Sequence, residues 1–304
     1  MTATAMTRDS AESRRNDRSP TLSKDLSALT KPRITLMVVL TTVVGYWVAT
    51  PMFDWPLLLH TLIGTALLST GSSVLNQVVE VRTDAAMRRT ANRPLPAGRI
   101  GRLPATLFGL LTGLVGGAQL WFFVNPLTSI LGVATLVLYV AVYTPMKRVS
   151  NLSTLVGAVP GAMPPMMGCT AASGELTALA WVLFGILFLW QMPHFLAIAW
   201  LYRADYERGG FPMLPVGDLD GQRTWLQMVL YAAALIPVSL LPAVLGFARL
   251  SYFAGALVCG LFFLWYSFDF GRSRDVKSAR RLLLASVAYL PVVLILMILD
   301  RAAS

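Results

Sequence analysis

Apolar residues along this chain gather into long, nearly uninterrupted runs; they do not alternate with polar residues at a strand period or fall on one stripe of an amphipathic helix. A helix needs about 20 apolar residues to cross the hydrocarbon core of a bilayer. Nine stretches reach that length, approximately residues 34–50, 55–79, 103–123, 127–145, 152–171, 177–201, 226–247, 250–270 and 282–299. Asn125-Pro126 alone separates the third from the fourth, and Ala248-Arg249 the seventh from the eighth. Pro, Gly and Trp cluster at many of the boundaries, as turns and anchors do at a membrane–water interface. The pattern predicts an all-α polytopic membrane protein with nine transmembrane helices in one bundle. The first span does not read as a cleavable signal, because a polar segment of about 30 residues precedes it and a second span follows at once.

Composition sharpens this reading. Hydrophobic residues make up 56% of the 304 and charged residues 13%, with a mean hydropathy of +0.63. Soluble domains carry about 25% charged residues, so a water-soluble enzyme with one buried core is excluded, as is a disordered or fibrous chain. The two cysteines, Cys169 and Cys259, lie inside apolar runs and offer neither a disulfide nor a zinc framework. The net charge of +10 gains meaning from its distribution. With nine spans, 23 of the 25 Lys and Arg residues fall in the N-terminal tail and in loops 2–3, 4–5, 6–7 and 8–9, all on one side; Arg249 and Arg301 are the exceptions. Positive charge stays inside, which predicts a cytoplasmic N-terminus and an outer C-terminus. Residues 1–28 show no hydrophobic periodicity and read as a disordered cytoplasmic tail, leaving residues 29–304 as a single nine-helix domain. The tail contains Asp9, Glu12, Asp17 and Asp25, unlike an acid-poor mitochondrial presequence, so a bacterial cell membrane is expected.

Candidate chemistry sits in the two long inner loops. Asn76, Glu80 and Asp84 are spaced i, i+4, i+8; on a helix they drift only about 40° per step and form an oxygen-lined stripe about 12 Å long. Acidic groups near membrane depth are costly and usually pair or line a cavity. Hard oxygen ligands suit Mg²⁺ held together with substrate phosphates, and the arginines that follow can complement phosphate oxygens. The competing reading is local: Glu80 and Asp84 pair with Arg88 and its neighbours as i,i+4 salt bridges. A second loop on the same side, Tyr202 to Pro215, carries Asp205, Tyr206 and Glu207 among arginines, which favours capture of a diphosphate between two acidic loops.

The chain resembles the intramembrane aromatic prenyltransferase (UbiA) superfamily, and within it the protohaem IX farnesyltransferase (haem O synthase) branch. The likeness rests on Thr30-Lys31-Pro32-Arg33, the run from Asn76 through Asn92-Arg93-Pro94 to Gly98, and Tyr143-Thr144-Pro145 with Lys147-Arg148 and Asn151. It continues through Gly157-Ala158, Gly161-Ala162, Pro164-Pro165, Trp190-Gln191-Met192-Pro193-His194-Phe195 and the Asp205-Tyr206 to Pro215 loop. The resemblance implies nine helices around a central cavity, farnesyl diphosphate bound through Mg²⁺, and haem B as acceptor, a substrate and not a cofactor. Two positions depart from the superfamily pattern: Glu80 stands where the first motif commonly has Asp, and the second motif offers Asp205 with Tyr206 and Glu207 in place of two aspartates four apart. Asn76, Glu80, Asp84 and Asp205 are the expected catalytic and metal residues. Arg88, Arg93, Lys147 and Arg148 are candidate diphosphate clamps, and Tyr206 a further substrate-binding residue.

His194 follows Pro193 at membrane depth. It is a candidate haem contact; a hydrogen bond to a neighbouring helix, to Gln191 or to a freed carbonyl is the structural alternative. His60 is expected to be interfacial, Cys169 and Cys259 to be packing residues, and Met163-Pro-Pro-Met-Met167 a helix distortion, not a copper site. Two rival functions remain at this stage. One is a prenyltransferase with a quinone-precursor acceptor. The other is a small transporter, against which the acids speak by lying at inner helix ends and not at the midplane. Membrane lipid is an expected partner, a haem A synthase or terminal oxidase assembly is implied by family analogy alone, and nucleic acid is not expected.

Overall fold

The computed structural model describes residues 21–50 and 52–301, and the regular structure among them is helical apart from one isolated bridge between Ala248 and Arg301. In chain order the helices are α1 (Leu22–Thr30), α2 (Pro32–Ala49), α3 (Trp55–Ala86), α4 (Arg102–Phe123), α5 (Pro126–Met146), α6 (Ser153–Ser173), α7 (Ala178–Leu201), α8 (Arg203–Arg208), α9 (Leu214–Gly217), α10 (Gln222–Val244), α11 (Leu250–Ser273) and α12 (Val276–Leu299). Their starts are written in the sequence. Pro occupies the first turn of α2, α3 and α5, where its missing N–H costs nothing. The side chains of Asp54, Asn125, Thr177 and Asp275 accept backbone N–H groups at the starts of α3, α5, α7 and α12.

Eight helices are long and apolar enough to cross a membrane: α2, α3, α4, α5, α7, α10, α11 and α12. The segment expected as the fifth span forms the 21-residue α6, which is not among these eight. Its surroundings explain why. α6 packs against α2, α5 and α7, so helices, not lipid, cover much of it. A Cβ at Gly168 would collide with the Thr42 carbonyl, one at Gly45 with the Pro165 backbone, and the Cys169 thiol donates to Gly45 O at 3.3 Å. Small residues permit such close backbone approach within a membrane. The expected distortion at Met163–Met167 does not break the helix, which runs through Pro160, Pro164 and Pro165, with Met166 and Met167 buried in apolar clusters.

One expectation needs correcting. The anticipated disordered tail, residues 1–28, partly overlaps α1; residues 1–20 lie outside the described residues. α1 is docked. Arg99 grips the buried Asp25 carboxylate with Nε at 3.0 Å and Nη2 at 2.9 Å, Gln77 Nε2 donates to Leu29 O at 2.7 Å, and Leu29 buries against Val74, Leu95 and Ala105. A nine-residue helix offers too few turns to display a period, and its partners lie about 50 and 74 positions away.

At 32 residues, α3 is about 48 Å long against a hydrocarbon core of about 30 Å. The surplus at its C-terminal end carries Asn76, Glu80 and Asp84. At the opposite end of the bundle the two bases outside the main charge pattern come together. Arg301 donates to Trp47 O at 2.9 Å, and the Arg249 N–H donates to Asp300 O at 3.2 Å.

Candidate active site

The site forms where the end of α3 meets the end of α5 and the junction of α1 with α2. Helix α5 is not α-helical to its end: Leu138–Tyr143 winds as a π-helix before Thr144–Met146. Pro145 has no N–H with which to continue the ordinary ladder, and the Thr144 hydroxyl donates to Tyr139 O, five residues back, at 2.7 Å. Single π turns gather at functional sites, and here the wider turn presents Thr144 and Lys147 to α3.

Asn76, Glu80 and Asp84 are all buried, at 1%, 7% and 1% exposure, and each is engaged. Asn76 Nδ2 donates to Thr144 Oγ1 at 3.0 Å, and Lys31 Nζ donates to Asn76 Oδ1 at 3.3 Å. Because the Thr144 proton is already given to Tyr139, its oxygen must accept, which fixes the Asn76 amide with its own oxygen toward Lys31. Lys147 Nζ reaches Glu80 Oε1 at 2.9 Å while lying 4.5 Å from the centre of the Tyr143 ring. Arg93 Nη1 reaches Asp84 Oδ2 at 2.7 Å. The expected stripe therefore faces a row of three bases, with Lys31, Arg93 and Lys147 opposite two acids and an amide.

Two details show how this cluster is poised. Asp84 Oδ1 is buried with no hydrogen-bond partner among the described residues, and a buried carboxylate oxygen left unsatisfied is costly. Burial, then the charges of Arg93 and Lys147, push the Lys31 ammonium down to about 7. Burial also opposes charge on Lys147, but Tyr143 and Glu80 outweigh it and hold that group above the ordinary lysine range. Lys31 itself adopts the left-handed conformation, φ 50°, at a cost of about 1–2 kcal/mol for a residue with a Cβ. The docking of α1 holds it there.

The remaining sequence candidates divide. Arg88 and Arg148 are exposed and form no ion pair among the described residues. The local i,i+4 pairing of Asp84 with Arg88 does not form, because α3 ends at Ala86 and Met87 is extended. Asp205 pairs with Arg208 in its own short helix, and no hydrogen bond or ion pair joins it to Asn76, Glu80 or Asp84 among the described residues. The two acidic loops nevertheless touch. The Arg89 guanidinium lies 5.2 Å from the Tyr202 ring centre and 5.9 Å from that of Tyr206, and a Cβ at Gly209 would lie 3.0 Å from Met87 Cγ.

His194 on α7 is bonded to a neighbouring helix, though through Ser286 and not Gln191, whose amide donates to Ala158 O. His194 Nδ1 lies 2.8 Å from Ser286 Oγ, and the ring stacks on Trp190 at 4.9 Å. Ser286 donates its proton to Leu283 O at 2.6 Å, so it accepts from His194 Nδ1–H and leaves Nε2 with a free lone pair. His60 lies 2.6 Å from Gln119 Nε2 and stacks on Phe123, Cys169 is buried, and Cys259 is half-buried.

Lys31 and Thr144, which bond Asn76, were not among the candidate site residues. Both stand beside a proline, and that Lys-Pro and Thr-Pro punctuation was their only local signal.

The UbiA prenyltransferase family matches residues 38–290, most of the chain and all three motif positions on α3. The chain belongs to the UbiA prenyltransferase family. Relatives agree: a protein of Solibacter usitatus named Protoheme IX farnesyltransferase is 48% identical over 288 residues, covering 91% of this chain and 99% of that one. The mitochondrial Protoheme IX farnesyltransferase of Homo sapiens is 41% identical over 280 residues, 92% of this chain and 62% of that one. Among solved structures, that of a digeranylgeranylglyceryl phosphate synthase superposes with a TM-score of 0.78 at 15% identity, over 91% of this chain and 97% of that one. A UbiA homolog from Archaeoglobus fulgidus bound to DMAPP and Mg²⁺ superposes with a TM-score of 0.66 at 13% identity, over 90% and 99%. The UbiA fold is thus shared, and this UbiA chain is an integral membrane protein.

Proposed function

We propose that the protein transfers the farnesyl group of farnesyl diphosphate to a vinyl group of haem B, with addition of water, to give haem O and diphosphate. The observation that carries this reading is the cluster of Asn76, Glu80 and Asp84 facing Lys31, Arg93 and Lys147, in a chain whose relatives named Protoheme IX farnesyltransferase match it over nine-tenths of its length. The residues fit a magnesium ion: the donors are hard oxygens, and Asp84 Oδ1 is buried and unsatisfied. No three His, Cys, Asp or Glu side chains converge as a closed cage among the described residues, so the fit is to an ion shared with substrate phosphates. Asn76, Glu80 and Asp84 would hold it, with Asp205 on the facing loop. Mg²⁺ bound there supplies neutralisation of the diphosphate leaving group.

The chain's own part follows from charge. Lys31, Arg93 and Lys147 take up negative charge as the C1–O bond of the farnesyl chain breaks, and being fixed in place they need no reorganisation. The exposed Arg88 and Arg148 serve at most to draw the anion inward. The haem vinyl group then attacks the allylic carbon, the resulting cation on the haem side takes up water, and a proton is lost. No side-chain nucleophile enters. His194, with Nε2 free, is assigned to hold haem. We place the protein in a bacterial cell membrane with its N-terminus and the site on the cytosolic side, the docked α1 and the helices that follow it acting as one catalytic domain. Purified protein given labelled farnesyl diphosphate with haem B or 4-hydroxybenzoate, with and without Mg²⁺, tests this. Magnesium-dependent label on haem alone is expected, and label on 4-hydroxybenzoate alone would overturn the acceptor.

A further inference from the structure

A second basic cluster lies on the same face of the membrane and shares no residue with the carboxylate site. It is a polar hollow of about 430 Å³ lined by Trp200, Arg203, Asp220, Gly271, Arg272 and Arg274 among its residues, where the ends of α7 and α11 meet the start of α10. We propose that this hollow binds the phosphate headgroup of an anionic glycerophospholipid.

Charge is the first argument. None of the three arginines pairs with a carboxylate among the described residues. Indole faces support them instead: Arg203 lies 5.0 Å from the Trp200 ring centre, Arg272 5.5 Å from that of Trp265 and Arg274 5.9 Å from that of Trp225. Arg203 and Arg272, held against aromatic faces, make no side-chain hydrogen bond among the described residues and keep their N–H donors for a phosphate, whose oxygens match the guanidinium fork. The single lining acid, Asp220, already accepts the Gln222 N–H at 3.1 Å.

Part of what would repel an anion is also covered. Carbonyls at the C-terminus of α11 would do so, but Arg274 takes two of them, with its backbone N–H on Phe270 O at 2.7 Å and Nε on Gly271 O at 3.2 Å. Arg274 Nη1 also donates to Asp220 O at 2.8 Å. Packed against Gly271, the Trp225 indole N–H is buried without an acceptor among the described residues.

Position decides the source of the phosphate. α7 ends at Leu201 and α11 at Ser273, so the hollow sits where spans leave the hydrocarbon. Trp200 lines it, Trp225 and Trp265 lie against its arginines, and Trp gathers at headgroup level. Basic pockets between membrane helices at this level take lipid headgroups.

The test uses the full-length protein in detergent, with bound lipid counted by native mass spectrometry during titration with dioctanoyl-phosphatidylglycerol, dioctanoyl-phosphatidylcholine or inorganic phosphate. Wild-type protein should retain phosphatidylglycerol in preference to phosphatidylcholine. R272Q should weaken that retention about fivefold, and R203Q/R272Q about 25-fold, at one basic residue's effect each. Neither arginine makes a side-chain hydrogen bond among the described residues, and R272Q should leave prenyl transfer in detergent unchanged, which shows that the fold survives. Equal retention of the two lipids, or unchanged retention in R203Q/R272Q, would overturn the site. Displacement of the lipid by equimolar inorganic phosphate would overturn the lipid as its ligand.

Discussion

Asp84→Asn keeps the size of the side chain and removes its formal charge from the most buried acid of the site. Two effects must be separated. The first is on the fold: Asp84 Oδ2 lies 2.7 Å from Arg93, whose side chain is 24% exposed. An amide oxygen can still accept from that guanidinium, so the loss should be about 1–3 kcal/mol, as for a weakened charged hydrogen bond, and below the cost of stranding a fully buried charge. The second effect is on chemistry. Oδ1 has no partner among the described residues, and in the proposed role it faces the metal–diphosphate. Removing one preorganised electrostatic contact costs about 10²–10³ in turnover. Arg93→Gln is the control, since it breaks the same ion pair while sparing the orphan oxygen. Haem O formation by purified variants at saturating haem, across a Mg²⁺ titration with melting as the check on folding, reads both. Asp84→Asn should raise the Mg²⁺ requirement and cut turnover, whereas Arg93→Gln should cut turnover and raise KM for farnesyl diphosphate at an unshifted Mg²⁺ requirement. A well-folded Asp84→Asn protein with near-normal turnover at low Mg²⁺ would remove Asp84 from the catalytic site.

The other expectations use different readouts. Lys31→Gln should weaken farnesyl diphosphate binding about tenfold or more, the scale of one charged hydrogen bond, and Lys31→Arg should recover most of it; equal affinity in all three by equilibrium binding would make Lys31 structural. His194→Ala should alter the haem absorption titration while leaving farnesyl diphosphate binding intact, and Ser286→Ala should reproduce part of that change by releasing Nδ1. The Ser278 N–H holds the Asp275 carboxyl below its ordinary value, so its contribution is present above the ordinary carboxylate pKa and lost as pH falls through the lowered one. Asp275→Ala should therefore lower the melting temperature at pH 7, with the difference fading at strongly acid pH. Cysteines placed singly in loops 2–3, 4–5, 6–7 and 8–9 should react only with reagent supplied from the cytosolic side, and outer labelling of loop 2–3 would reverse the orientation.

Much of the fold was legible because membrane spans are written in composition. The limits of that reading are instructive. α6 was found as an apolar run, yet it is the one expected span outside the eight helices apolar enough to cross a membrane, and other helices and small residues enclose it. The Asn76–Glu80–Asp84 stripe was legible because it obeys one helical period. Its partners were not: the i,i+4 rule pointed from Asp84 to Arg88, but the helix ends at Ala86 and the rule lapses there, so the chain turns back and delivers Arg93 instead. Thr144 and Lys147 reach α3 only because a π turn shifts their register, and no hydrophobic period reports a π turn. Lys31 depends on α1, whose anchoring partners are distant in sequence.

Those partners also support the proposed role of the resting ion pairs. Taken alone, Glu80–Lys147 and Asp84–Arg93 look like structural salt bridges, the reading in which the acids serve only the fold. Yet a buried ion pair contributes little net stability compared with apolar residues of the same size, so its presence asks for another reason. A pair kept only for structure would satisfy both carboxylate oxygens, and Asp84 leaves one without a partner among the described residues. It would also not draw in Lys31, a third base whose charge burial and its basic neighbours disfavour and whose backbone is held left-handed. Two acids facing three bases, one of them strained, make a poor ion-pair network for an empty protein. They suit an anion that draws the bases toward itself and a cation that takes their place on the acids. In the proposed role the resting pairs hold the acids and bases together until the substrate and its ion arrive.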